Sequence, residues 1–120
     1  GKESENLAAD RLILFGFSQG TMMSLHVAPR RAAPVAGIAG FSGRLLMPGA
    51  LAAEAVSKPP VLLLHGDADD VVPFASMAEA DAALRGAGFE VEDFVMHGVG
   101  HGISPEGLGR AVEFIASKLA

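Results

Sequence analysis

Three mainly apolar runs predict β-strands that are buried on both faces. They cover residues 11–15, 35–41 and 61–65. Strands of this kind lie inside parallel sheets, where helices cover both faces, and so they do not alternate between apolar and polar positions. A fourth run, residues 89–96, includes the acidic residues Glu90, Glu92 and Asp93 and is therefore expected nearer to an edge of the sheet.

Helical segments separate these runs. We predict helices over residues 20–30, 51–57, 73–84 and from 105 onward, after a polar start at residues 2–9 that is expected to be helical or frayed. Pro73 and Pro105 each suit the first turn of a helix, and Ser104 suits an N-cap. Gly86 and Gly88 should end the third helix. Strands that alternate with helices predict an α/β fold, in which right-handed crossovers build a parallel sheet.

The pentapeptide Gly-Phe-Ser-Gln-Gly, residues 16–20, lies where the first strand meets the first helix. In that context G-x-S-x-G predicts a nucleophile elbow, a sharp turn that raises the Ser18 hydroxyl above the sheet. Gly16 and Gly20 are expected to be required because a Cβ at either position would collide with a neighbouring element. The backbone N–H of Gln19, at the helix start, should point to the place where an oxyanion forms.

Two other strands end in reactive side chains. The third run leads into His-Gly-Asp-Ala-Asp-Asp, residues 65–70, and the fourth into His-Gly-Val-Gly-His-Gly, residues 97–102. Functional loops of a parallel sheet lie beyond the carboxyl ends of its strands, so these segments should meet Ser18. A serine attacks an acyl carbon only when an imidazole takes its proton, and the imidazole needs a carboxylate to orient it. The order Ser, Asp, His therefore predicts a serine hydrolase of the α/β-hydrolase type.

The residues alone leave the acid open among Asp67, Asp69 and Asp70, since neighbouring carboxylates cannot all face one imidazole. For the base, His101 is favoured over His97 because glycines on both sides leave its ring room to turn toward the serine.

The acidic loop does not predict a calcium site. Val71 and Val72 stand where an EF-hand would need a ligand and its invariant glycine. We therefore expect no metal and no cofactor.

Composition excludes several other functions. The net charge is −5, and the seven Phe are accompanied by no Trp or Tyr, so a nucleic-acid site has neither a basic patch nor an aromatic platform to use. No apolar stretch reaches the ~20 residues of a membrane span, and the N-terminus does not resemble a signal peptide. The absence of cysteine excludes disulfides and thiolate chemistry, and suits a cytoplasmic location.

Four motifs together resemble the phospholipase/carboxylesterase family of α/β-hydrolases, which includes acyl-protein thioesterases and small bacterial carboxylesterases. They are GFSQGT at residues 16–21, GFSG at 40–43, HGDADDVVP at 65–73 and GHG at 100–102. The resemblance implies Ser18 as nucleophile, Asp69 as acid and His101 as base, acting on an ester or thioester. Asp67 is then expected to structure its loop.

Residues 1–120 are expected to form a single α/β-hydrolase domain that is incomplete. The chain has no initiator Met and its elbow falls within the first twenty residues, so we expect it to be the C-terminal half of a longer hydrolase. The family's early strands, and the His-Gly loop that supplies a second oxyanion donor, have no match here. Beside the elbow, and after the second strand, we expect four residues to contact the substrate: Phe17, Ser42, Leu45 and Leu46.

Two alternatives remain beside the esterase. A peptidase on the same fold would usually add a domain or a peptide-terminus site, of which the short loops show no sign. A catalytically inactive module could instead pair with a partner, because the first strand has neighbours from this chain on one flank only. Its other edge is expected to expose apolar Leu and Phe side chains and so to support association between copies of the chain.

Overall fold

The computed structural model describes residues 11–120 of the chain. In that part, four parallel strands form one sheet in the order β1-β2-β3-β4. The strands are β1 Ile13–Phe17, β2 Gly37–Phe41, β3 Val61–Gly66 and β4 Val91–Met96. The predicted α/β fold with a parallel sheet is confirmed. The polar segment at residues 2–9 lies outside the described residues.

Helices cover both faces of the sheet. They are α1 Gln19–Val27, α2 Leu51–Glu54, α3 Ala75–Gly86 and α4 Pro105–Leu119, with short 3₁₀ turns at Ala28–Arg30 and Pro48–Ala50. Alternate residues of the central strands serve opposite faces, as the pleat requires. Ile38 and Leu63 pack with Leu25 and Leu84 of α1 and α3 on one face, whereas Phe41 and its neighbours pack with α4 on the other.

Several predicted boundaries move by a few residues. The first strand lies two residues later than predicted, and the helix after it begins directly at Gln19. Pro73 precedes α3 instead of occupying its first turn, and Gly86 is the last residue of the helix. The chain turns at Gly88, whose φ is +91°. Ser104 is the N-cap of α4 as predicted, since its Oγ accepts a hydrogen bond from the Gly107 N–H at 3.0 Å.

The outer strands are β1 and β4, and they differ in surroundings. Glu92 and Asp93 of β4 are exposed, as expected for an edge, although Asp93 also lies within hydrogen-bond reach of Asp81 on α3. Strand β1 was expected to be buried on both faces, but Phe15 and Phe17 are 47% and 38% exposed. Among the described residues, β1 has a strand neighbour on one side only. Within residues 11–120, an apolar edge therefore lies open beside the elbow.

Candidate active site

The turn between β1 and α1 holds Ser18 in a backbone conformation that few residues adopt. Its φ of 55° and ψ of −113° lie outside the ordinary regions for a residue with a side chain. Such a conformation costs on the order of 1–3 kcal/mol and persists only where neighbours hold it. Here the Phe41 carbonyl at the end of β2 does so, accepting hydrogen bonds from the Ser18 N–H at 2.9 Å and the Thr21 hydroxyl at 2.7 Å. The serine is thereby fixed at the carboxyl edge of the sheet.

The two glycines of the elbow have different roles. A Cβ at Gly16 would lie 2.6 Å from the backbone nitrogen of Thr21, so glycine is required there as predicted. A Cβ at Gly20 would meet nothing within 4 Å, because this residue faces outward from the first turn of α1. The expected collision at Gly20 was therefore wrong for the described part of the chain.

The loop after β3 holds the Asp69 carboxylate away from water. Its side chain is fully buried, and Oδ1 accepts hydrogen bonds from the N–H groups of Val71 and Val72, each at 2.9 Å. Burial by itself raises the pKa of Asp69, but the hydrogen bonds from His101 and from these two N–H groups outweigh it, so that the pKa lies below its usual value. The carboxylate is thus held ionised in a fixed orientation.

The His65 imidazole braces the same loop from inside. It is buried, and its Nε2 lies 2.8 Å from the Val72 carbonyl and 3.3 Å from Oδ2 of Asp69. The ring also meets Phe74 edge-on, with centroids 6.0 Å apart. This histidine therefore braces Asp69, and Ser18 is not among its hydrogen-bond partners.

The His101 imidazole links Asp69 to Ser18. Its Nδ1 lies 2.8 Å from Oδ2 of Asp69, and its Nε2 lies 3.0 Å from Oγ of Ser18. The Phe17 ring packs beside it, with centroids 4.8 Å apart. One nitrogen can therefore exchange a proton with the serine while the other is held by a carboxylate.

The rival acid and base form a separate pair. Asp67 lies 3.1 Å from His97, whose side chain is 84% exposed, and Asp70 points to solvent. Neither rival carboxylate is among the hydrogen-bond partners of His101.

The four expected substrate contacts are spread around this arrangement. Phe17 lies against His101, as described above. Ser42 is fully buried with a φ of 53°, and its hydroxyl donates to the Gly102 carbonyl at 3.4 Å. Leu45 and Leu46 line a cavity of about 240 Å³ between the loop after β2 and the first half of α3. Contact of these residues with substrate stays a prediction.

Two residues that position the site were missed in the sequence. Thr21 shares the Phe41 carbonyl with Ser18, and its methyl group fills the space over β2. A Cβ at Gly66 would lie 2.1 Å from the Val99 carbonyl, so only glycine lets the loop before His101 close over the end of β3. The His-Gly-Asp motif contains Gly66 and the GFSQGT motif ends at Thr21, so each motif was an available signal, although neither shows what its residue packs against.

Comparison with known proteins identifies a family for the chain. The model of the phospholipase/carboxylesterase family matches residues 2–119. The chain belongs to that family. It is 31% identical to acyl-protein thioesterase 1 of Gibberella zeae, with 94% of this chain and 50% of that protein covered. It is 32% identical to acyl-protein thioesterase 1 homolog 1 of Dictyostelium discoideum, with 98% and 53% covered.

Solved structures agree with this assignment. The crystal structure of esterase PE8 matches with a TM-score of 0.87 at 44% identity, over 89% of this chain and 50% of that one. A phospholipase/carboxylesterase from Dyadobacter fermentans matches with a TM-score of 0.76 at 26% identity, over 95% and 56%. The chain spans about half the length of the family members it matches. Within residues 11–120, none of the helices combines the length and the apolar character needed to cross a membrane.

Proposed function

We propose that the chain carries the reacting groups of a serine hydrolase that cleaves carboxylic esters or thioesters through an acyl-enzyme. The observation that carries the proposal is the line of hydrogen bonds from Asp69 through His101 to the Ser18 hydroxyl. Membership of the phospholipase/carboxylesterase family supports it. The proposed reaction uses no metal and no cofactor.

In the first half of the reaction, Oγ of Ser18 attacks the acyl carbon while Nε2 of His101 takes its proton. The carbonyl double bond opens and leaves a negative oxygen on a tetrahedral carbon. When the double bond reforms, the bond to the leaving group breaks, and Nε2 returns the proton to the departing alcohol or thiol. Asp69 holds Nδ1 as a donor throughout and stabilises the imidazolium.

In the second half, water takes the place of the alcohol. His101 accepts a proton from the water, whose oxygen attacks the acyl group on Ser18. Collapse of this second tetrahedral carbon releases the acid, and the proton returns to the serine oxygen.

The Gln19 N–H is the proposed donor to the negative oxygen. Gln19 is the first residue of α1, where a backbone N–H has no carbonyl partner within the helix. The helix dipole adds positive charge at the same end. Removing one donor of this kind costs about 10²–10³ in kcat in other hydrolases.

The substrate is proposed to lie between Phe17 and the loop after β2. Leu45 and Leu46 belong to that loop and line the cavity beside α3. Loop and helix both lie at the carboxyl edge of the sheet, on the side of Ser18. An apolar acyl or alcohol group would bury its surface against these leucines. Ser42 is fully buried and would support this wall without offering surface to the substrate.

Covalent labelling with a fluorophosphonate probe tests the proposal. The probe should modify Ser18, and peptide mapping of the labelled chain should find the adduct on the segment that contains residues 16–20. The variant Ser18→Ala should lose labelling with its circular dichroism spectrum unchanged. Ser24→Ala, on the same helix, is the matched control and should label as wild type does. Undiminished labelling of Ser18→Ala, or an adduct at another residue, would show that Ser18 is not the nucleophile.

A second function is favoured by the edge of β1 that has no strand beside it among the described residues. Phe15 and Phe17 on the strand, with Met23 and Val27 on α1, are each between 38% and 54% exposed. A strand that offers unpaired N–H and C=O groups beside such an apolar surface is a template for pairing. The competing proposal is therefore a catalytically inactive pairing module. It predicts a folded chain that associates but does not react with the probe.

A further inference from the structure

The segment that carries His101 is fastened to the segment that carries Asp69 at points away from the reacting atoms. Residues 97–102 after β4 are called the base loop, and residues 67–72 after β3 are called the acid loop. The Asp67 N–H donates to the Met96 carbonyl at 3.2 Å, and the Ala68 N–H donates to the Val99 carbonyl at 3.0 Å. The two loops therefore lie side by side at the edge of the sheet.

The Asp67 side chain makes the shortest of these connections. Its Oδ1 accepts a hydrogen bond from the Gly98 N–H at 2.7 Å, and its Oδ2 lies 3.1 Å from Nδ1 of His97. The Gly98 N–H is the main reason that the pKa of Asp67 lies below its usual value, and His97 lowers it further. The carboxylate is thus ionised at neutral pH and is a strong acceptor for the backbone.

The base loop is held from within by one backbone hydrogen bond, from the Gly102 N–H to the Gly100 carbonyl at 3.0 Å. Glycine stands at positions 98, 100 and 102, and Gly98 has a φ of +74°. Each glycine loses more conformational freedom on ordering than any other residue would. His101, between two of them, therefore depends on contacts from outside the loop to keep its ring between Asp69 and Ser18.

We propose that Asp67 is a positioning residue for the reaction, and that its Oδ1, by binding the Gly98 N–H, fixes the start of the base loop and so the place of His101. This inference rests on the proposed function, because it concerns the geometry of the same proton transfer. His97 is the weaker partner. Its side chain is 84% exposed, and water can replace its contact with Oδ2.

Three variants separate the two halves of the contact. Asp67→Ala removes both connections. Asp67→Asn is nearly isosteric and retains an oxygen that can accept from Gly98, but it removes the charge opposite His97. His97→Ala retains the Gly98 contact and removes only the imidazole. Asp70→Ala, an exposed acid in the same loop, is the control for loss of a charge.

The measurement is the rate of fluorophosphonate labelling as a function of probe concentration, together with thermal unfolding of each variant. Asp67→Ala should lower the maximal rate by about 10- to 100-fold with little change in the half-saturating probe concentration, because a displaced base affects the reaction more than binding. Asp67→Asn should restore the rate to within about threefold of wild type by the same argument. His97→Ala and Asp70→Ala should react as wild type does.

Each other outcome has a definite meaning. If Asp67→Ala reacts like wild type, or loses its cooperative unfolding transition, Asp67 does not act by positioning His101 and the inference is overturned. If Asp67→Asn is as slow as Asp67→Ala, the Gly98 acceptor is not the reason, which also overturns it. A wild-type chain that does not label at all would instead reject the proposed function, and the positioning role with it.

Discussion

Replacing Asp69 by Asn should leave His101 unable to act as a base, without disturbing the fold. In the buried site, one oxygen of Asp69 accepts from two backbone N–H groups, each at 2.9 Å. An Asn side chain of the same shape must place its carbonyl oxygen there, since its NH₂ group would otherwise face two donors. The NH₂ group then points at Nδ1 of His101, 2.8 Å from the original oxygen.

Because the Asn NH₂ group donates a hydrogen bond, Nδ1 of the imidazole must be unprotonated to accept it. Its proton moves to Nε2, the nitrogen that lies 3.0 Å from Oγ of Ser18. In this tautomer His101 can donate to the serine but cannot take its proton. The same change in a serine protease lowers kcat about 10⁴-fold, which corresponds to about 5.5 kcal/mol of barrier.

Stability should change far less. The hydrogen bonds from Val71 and Val72 persist but lose their charged acceptor, which weakens each by about 1 kcal/mol. The assay is the fluorophosphonate labelling rate at pH 7.5 beside a thermal melt, with Asp70→Asn as the charge-matched neighbour. A labelling rate of Asp69→Asn within tenfold of wild type, or an equally slow Asp70→Asn, would refute the tautomer argument and the choice of acid.

Two further predictions concern stability and association. Partial burial, then a hydrogen bond and charge repulsion from Asp81, raise the pKa of Asp93 to about 7 from 3.8. The folded chain therefore keeps a proton that the unfolded chain releases over that range, and stability falls as pH rises through it. Asp93→Asn removes this loss, so its Tm should match wild type near pH 4 and exceed it at pH 8; a Tm difference independent of pH would contradict the assignment. At the other edge of the sheet, sedimentation velocity should show that the wild-type chain associates and that Phe15→Lys associates less. Val112→Lys, at an exposed position on α4, is the control and should associate as wild type does. A wild-type chain that stays monomeric at about 10–50 µM would rule out pairing through β1.

The local pattern of the sequence was sufficient for the elements and their order. Continuous apolar runs require burial, and glycines and prolines mark where they end. Strands that alternate with helices favour a parallel sheet. The elbow was readable for the same reason, because G-x-S-x-G acts through the backbone of five consecutive residues. Boundaries moved by a few residues, since helix ends depend on caps and packing that periodicity does not describe.

The choice among neighbouring polar residues depended on the tertiary structure. Asp67, Asp69 and Asp70 have the same chemistry within four positions, and only the turn after β3 decides which one is buried beside His101. Residues distant in sequence behave in the same way. Asp67 meets Gly98, Thr21 meets the Phe41 carbonyl, and Gly66 leaves room for Val99, because parallel strands bring their carboxyl ends together.

The exposure of β1 also depends on both the sequence and the tertiary structure. Its apolar composition predicted burial on both faces, whereas the position of all later strands on one flank predicted an edge with exposed apolar side chains. Exposure of Phe15 and Phe17 follows from what lies next to the strand, and among the described residues one flank has no strand. Composition determines which side chains are stabilised by burial, whereas the neighbours present in the folded sheet determine whether those side chains are buried.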